Sequence, residues 1–163
     1  MDTKDVRVVK LPPMRVACVN GFGTEPEGMA FEKMKAWAEK HNLLGKPYRL
    51  FGYNNPDPSA GSPNYGYDVW ITVDESVQAD GDARIIEFPG GLYAVTRLEV
   101  KNPGDDIPRT WQDLVKWMEA SKYSHGRHPA PAGVRESVCA SPCRRRRSRR
   151  CRPSDGNRRR SVA

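Results

Sequence analysis

Arg84-Ile85-Ile86-Glu87-Phe88-Pro89 stands 77 positions after Arg7-Val8-Val9-Lys10-Leu11-Pro12, and the likeness of these two stretches governs the reading of the chain. The offset lays Arg7 on Arg84, Val8 on Ile85, Val9 on Ile86, Leu11 on Phe88 and Pro12 on Pro89, and further on Ala17 on Ala94. An offset of 80 lays Phe31 on Trp111, Met34 on Leu114 and Trp37 on Trp117, so a single loop insertion of three residues relates the two halves. Self-similarity at a fixed period signals a duplicated structural unit.

Each half reads as a strand-helix-strand-strand unit. Val6 to Val19 gives two short strands hinged at Leu11-Pro12-Pro13, because proline cannot donate to a ladder and pins a turn. From Met29 to Leu44 the residues Ala30, Phe31, Met34, Trp37, Ala38 and Leu44 recur at helical spacing, and Gly45-Lys46-Pro47 ends that helix. Tyr48 to Tyr53 and Tyr65 to Val73 are aromatic and β-branched runs separated by a loop dense in turn formers, as in an antiparallel pair. Ala83 to Val100 is again strand, hinge and strand, with Pro89-Gly90-Gly91 as the hinge. Trp111 to Tyr123 is a second helix with Thr110 as its N-cap.

The fold class expected is therefore α+β, with antiparallel sheets from the two units joined about a pseudo-two-fold axis and a groove between them. The second unit should continue with strands near 127 to 134 and 145 to 153. Those positions hold His128-Pro129-Ala130-Pro131-Ala132-Gly133 and the run Arg144 to Arg152. Prolines remove donors and clustered arginines cannot enter an apolar layer unpaired, so the second unit is expected to lack its last strands. The domain then spans residues 1–126, and 127–163 is expected to be a disordered Arg/Pro-rich tail. A truncated sheet leaves a strand edge open to homodimerisation.

Charge divides at the same point. Residues 1–126 hold 15 Lys/Arg against 18 Asp/Glu, a charge of −3, whereas residues 127–163 hold 12 Arg against two acids, a charge of +10. The overall +7 thus belongs to the tail and says nothing of the body's partners. All of the tail's basic residues are Arg, beside Pro, Ala, Ser and Cys, a composition like that of a shifted reading frame in GC-rich DNA. The alternative is a genuine Arg-rich tail that binds nucleic acid through phosphate contacts, without aromatic residues for stacking. No apolar run reaches the roughly 20 residues of a membrane span, and the start lacks a signal peptide's apolar segment, so a cytoplasmic location without membrane contact is expected.

Strict alternation along Tyr65 to Val73 puts Tyr65, Tyr67, Val69, Ile71 and Val73 on one face and Gly66, Asp68, Trp70 and Thr72 on the other. The first face suits the layer under the helices, which leaves Asp68 and Trp70 for the groove. A carboxylate beside an indole is what a flat cation needs, the charge meeting Asp68 and the rings stacking on Trp70. The plainer role is an Asp at the surface beside a packing Trp. Phe51 and Tyr53 share a face of the neighbouring strand, and Tyr93 lies in the equivalent of the opening pair. Together they extend an aromatic wall, although each taken singly reads as core.

Catalytic and metal-binding patterns are weak. His41 sits near a helix end, where the dipole favours a cation. His125 and His128 followed by Cys139, Cys143 and Cys151 match no standard zinc spacing. Those three cysteines are also an odd number for a disulfide framework, and Cys18 reads as a buried thiol. No catalytic residue, metal or cofactor is therefore expected.

Asn54-Asn55-Pro56, the run from Gly61 to Val73, Glu87-Phe88-Pro89-Gly90-Gly91-Leu92-Tyr93-Ala94-Val95 and the opening Val9 to Ala17 together resemble the GyrI-like, AraC-type effector-binding family. The resemblance covers about residues 5 to 127. It implies a groove that takes flat, aromatic, often cationic compounds, as in drug-sensing domains attached to transcription regulators. Here the expected role is a stand-alone sensor or sequestering protein, since no helix-turn-helix precedes the first strand.

Some members of that family resemble hydrolases of strained cyclopropane compounds, with a groove Glu that activates water. The corresponding strand is the one expected to be missing, so an enzyme is the lesser expectation. Asp68 stands where near relatives carry Glu.

Overall fold

The computed structural model describes residues 6–126, 132–133 and 138–145. In chain order the elements are β1 (Arg7–Leu11), β2 (Met14–Gly23), α1 (Pro26–Lys40), β3 (Leu50–Asn54), β4 (Tyr65–Thr72), β5 (Arg84–Phe88), β6 (Gly91–Arg97), α2 (Pro103–Ala120), β7 (Tyr123–His125), β8 (Ala132–Gly133) and β9 (Val138–Arg145). The fold is α+β, and every strand pairing among the described residues is antiparallel.

The two hinges act differently from ordinary hairpin turns. Pro12 and Pro13 lead the chain out of β1, and Gly90, at φ 76°, leads it out of β5. Instead of folding back on their successors, the two strands exchange partners, β1 pairing with β6 and β5 with β2. A side chain at Gly90 would run into the Leu11 carbonyl and the Pro12-Pro13 backbone, so the hinges lie against each other where they cross.

The strand order β1-β6-β9-β8-β3-β4-β2-β5 follows from this exchange, with β7 attached to β9. It reads the same from either end when β1 is matched with β5, β2 with β6, β3 with β8 and β4 with β9. The centre of that order is the short β3–β8 pairing, Phe51 opposite Gly133 and Gly52 opposite Ala132.

Two strands thus occupy the stretch from which the sequence reading removed them. The backbone of β9 pairs with β6 from Arg97 opposite Val138 to Tyr93 opposite Pro142. Pro142 is tolerated because it ends that ladder and lies beyond the β8 pairing, which reaches only Val138 and Cys139. The backbone of Arg144 and Arg145 pairs with the three-residue β7. The sheet therefore extends past 126, while the rest of the expected tail, including His128 and Cys151, lies outside the described residues. The truncation argument for a dimer edge falls with the missing strands; β1 and β5 are the ends of the strand order.

Both helices begin earlier than their apolar spacing predicts. Pro26 starts α1 at one of its first two positions, where a missing N–H costs nothing, and His41 closes it. α2 starts at Pro103, not Trp111, with Asn102 as N-cap. The Asp106 carboxylate reaches back to accept the backbone N–H groups of Lys101 and Asn102 at 2.8 and 2.7 Å. Thr110 is consequently inside the helix, its hydroxyl donating to the Asp106 carbonyl. Pro108 masks the first turns in the sequence because it reads as a helix breaker, yet α2 runs through it. Neither helix is long and apolar enough to cross a membrane.

Among the described residues three apolar clusters result. α1 lays Ala30, Met34 and Trp37 on Ala17, Val19, Val69 and Ile71. α2 lays Leu114 and Met118 on Ala94. The third cluster, Val16, Cys18, Phe51, Trp70, Phe88, Tyr93 and Val95, contains strand residues of both units and none from a helix. The loop between β4 and β5 is tied to the end of α1 through Asp80, which accepts hydrogen bonds from Trp37 Nε1 at 2.6 Å, His41 Nε2 at 2.9 Å and Lys40 Nζ.

Candidate ligand-binding face

β4 alternates as its sequence requires. Val69 and Ile71 face α1, and Asp68 and Trp70 face away from it. Register then decides what they meet. Asp68 lies opposite Asn20 on β2 and Tyr53 on β3, while Trp70 lies opposite Cys18 and Phe51. β5, brought to the far side of β2 by the partner exchange, places Arg84 opposite Cys18.

Asp68 is fully buried, and its oxygens are surrounded by donors. Asn20 Nδ2 donates to Oδ1 at 2.7 Å. Tyr53 OH, Asn55 Nδ2 and Arg84 donate to Oδ2 at 3.0, 2.9 and 2.6 Å. Burying an ionised carboxylate is costly unless it is paired and hydrogen-bonded, and here both conditions are met. The expectation that Asp68 offers a free charge to a guest thus meets a different arrangement, because Arg84 already supplies the counter-charge from a side chain that is itself 51% exposed.

The rings beside this pair form a chain of contacts. Tyr53 meets Trp70 edge-on with centroids 5.2 Å apart, Trp70 meets Phe88 at 5.9 Å, and Phe88 meets Tyr93 at 6.0 Å. Edge-to-face and tilted pairs at these separations are favourable beyond the area they bury. Phe51 is buried on the same face, with the Arg49 guanidinium over its ring. All five residues singled out from the sequence, Phe51, Tyr53, Asp68, Trp70 and Tyr93, fall on this face, and Tyr93 brings in the second unit.

The local electrostatics follow from burial next to a carboxylate. The Cys18 thiol is pushed up to about 12, first by burial and then by the charge of Asp68, so it stays protonated. The Tyr53 hydroxyl is raised for the same two reasons in the same order, which keeps it a donor. The indole N–H of Trp70 lies near enough to Cys18 to influence the thiol, but among the described residues it finds no acceptor at bonding geometry.

Sequence reasoning missed Arg84, Asn20, Asn55 and Phe88. Arg84 was visible only as the repeat of Arg7, and Phe88 as the repeat of Leu11; their place beside Asp68 and Trp70 depends on the strand exchange. Asn55 was read as a turn former, whereas its side chain also caps the carboxylate.

A family model described as "GyrI-like small molecule binding domain" matches residues 4–132. The chain is 32% identical over 101 residues to a protein named DNA gyrase inhibitor from Pectobacterium carotovorum subsp. carotovorum, a match covering 60% of this chain and 62% of that one. It is 31% identical over 111 residues to a DNA gyrase inhibitor from Edwardsiella ictaluri, covering 65% and 70%. The match to the Pectobacterium protein thus spans less than two thirds of that relative's length.

Among solved structures, the C-terminal domain of EcmrR superimposes with a TM-score of 0.60 at 10% identity, covering 86% of this chain and 97% of that one. A conserved protein from Listeria innocua gives 0.59 at 10% identity, covering 86% and 92%. At such identity these two speak for the fold alone. The chain belongs to the GyrI-like small molecule binding domain family.

Proposed function

We propose that the chain binds flat, amphipathic small molecules against the helix-free face and acts as a sensor or sequestering protein for them. The observation that carries this reading is the chain of rings Tyr53, Trp70, Phe88 and Tyr93, drawn from both units and set beside one buried carboxylate–guanidinium pair. An apolar, aromatic cluster beside a few fixed polar groups is the usual lining of a small-molecule site. A cationic guest would take the place of Arg84 on Asp68; an acidic or neutral one would leave the pair intact.

The test is a fluorescence titration of the full chain with anthracenemethanol, an uncharged planar probe. Saturable binding is expected, weakened about tenfold or more in Tyr53→Ala, since a stacked aromatic contact and its buried area are lost. A signal that never saturates, or identical curves for the variant and the parent, would overturn the reading.

A second reading, inhibition of DNA gyrase, is favoured by the names of the Pectobacterium and Edwardsiella relatives. A plasmid supercoiling assay with purified gyrase tests it. Supercoiling that persists at a large molar excess of the chain would remove it.

A further inference from the structure

Three features of the helix-free face bear on the charge of its guest. Asp68 is wholly buried with four donor groups on its two oxygens, so it has little left to offer a cation. Arg84 holds Asp68 through one nitrogen while half of its side chain stays in solvent, and among the described residues no other partner takes the remaining N–H groups. Trp70, only 2% exposed, carries an indole N–H with no acceptor at bonding geometry among those same residues. Among the described residues, the capacity left on this face at Arg84 and Trp70 is that of hydrogen-bond donors.

We infer that this site selects planar aromatic molecules bearing an anionic group, a carboxylate or an acid of similar shape, with Arg84 as the residue that sets the preference. The inference rests on the small-molecule reading above and narrows it. A guanidinium anchored along one edge by Asp68 is held in a fixed orientation, and its outer edge matches a planar two-oxygen acid. The ring of the guest then lies toward Tyr53, which donates to the same carboxylate and is half-buried at the margin of the cluster. A cation is disfavoured twice over. It meets the exposed charge of Arg84, and to reach Asp68 it must break a 2.6 Å ion pair to a fully buried carboxylate.

The experiment compares three probes that share one ring system, anthracene carboxylate, anthracenemethanol and (aminomethyl)anthracene, titrated into the full chain at neutral pH. The carboxylate is expected to bind about tenfold tighter than the alcohol, as one added charge-assisted hydrogen bond provides, with the amine weakest. In Arg84→Gln the order should reverse in favour of the amine, because Asp68 is then left without its counter-charge. The double variant Asp68→Asn/Arg84→Gln removes both charges together, should bring the three affinities together, and keeps the test available if the single variant fails to fold. Equal affinities in the parent chain, an amine preference there, or a carboxylate preference that survives in either variant overturns the inference while leaving small-molecule binding in place. Failure of all three probes to bind overturns both.

Discussion

In the first unit Asn20 faces Asp68 and Cys18 faces Trp70 across β2 and β4, whereas in the second Arg97 faces Val138 and Val95 faces Ala140 across β6 and β9. The offset of 77 that relates the halves carries Asn20 onto Arg97 and Cys18 onto Val95, so these are corresponding positions in the same register. Where one unit places a carboxylate and an indole, its counterpart places two small aliphatic residues. The proposed site draws on both halves, with Phe51, Tyr53, Asp68 and Trp70 from the first and Arg84, Phe88 and Tyr93 from the second.

Breaking the comparison is simplest at Trp70. Trp70→Ala should lower stability by about 4 kcal/mol in urea unfolding, the usual cost of emptying a fully buried aromatic position. Leu114→Ala, under α2, should cost about 3 kcal/mol for the same reason. The folded fraction of the Leu114 variant should bind anthracenemethanol as the parent does; loss of binding in both variants alike would deny that the cluster around Trp70 is the proposed site.

Asp68→Asn, which keeps the shape and removes the charge, should cost about 2 kcal/mol through the weakened bonds to Arg84, Asn20, Asn55 and Tyr53. A thermally neutral substitution would mean that the carboxylate network contributes nothing to folding. Tyr53→Phe removes one of those donors and should cost about 1 kcal/mol.

The smallest effect is set by pH. Lys40, His41 and Trp37 hold the Asp80 carboxyl well below the ordinary carboxylate range. A carboxylate depressed on folding adds stability that is complete above its unfolded value near 4 and is lost as pH falls through the lower folded value. Asp80→Asn should therefore narrow the gap between melting temperatures measured at neutral and acid pH. An unchanged gap would detach the β4–β5 loop from the acid response.

Much of this was legible in the residues. The period-two alternation of Tyr65 to Val73 correctly separated Val69 and Ile71 from Asp68 and Trp70. Sequence reading failed where non-local pairing decides. Pro129, Pro131 and the arginine run from Arg144 argued against the last strands, but the backbone of β9 pairs with β6 and β7, with Pro142 at the end of the β6 ladder. Pro108 similarly hid the first two turns of α2. The ion pair was out of reach for another reason, since nothing local to Arg84 tells that β5 lies along β2.

The crossing of the hinges constrains how a guest gets in. Each unit contributes an outer strand to its neighbour's half of the sheet, so the halves are stitched together and cannot swing open like a pair of doors. On the proposed reading, entry to the aromatic face then depends on movements at the rim, such as rotation of Tyr53 and Arg84, with the framework staying still. The same stitching means that a chain cut between β4 and β5 would leave each fragment short of a strand, and only a mixture of the two could rebuild the sheet.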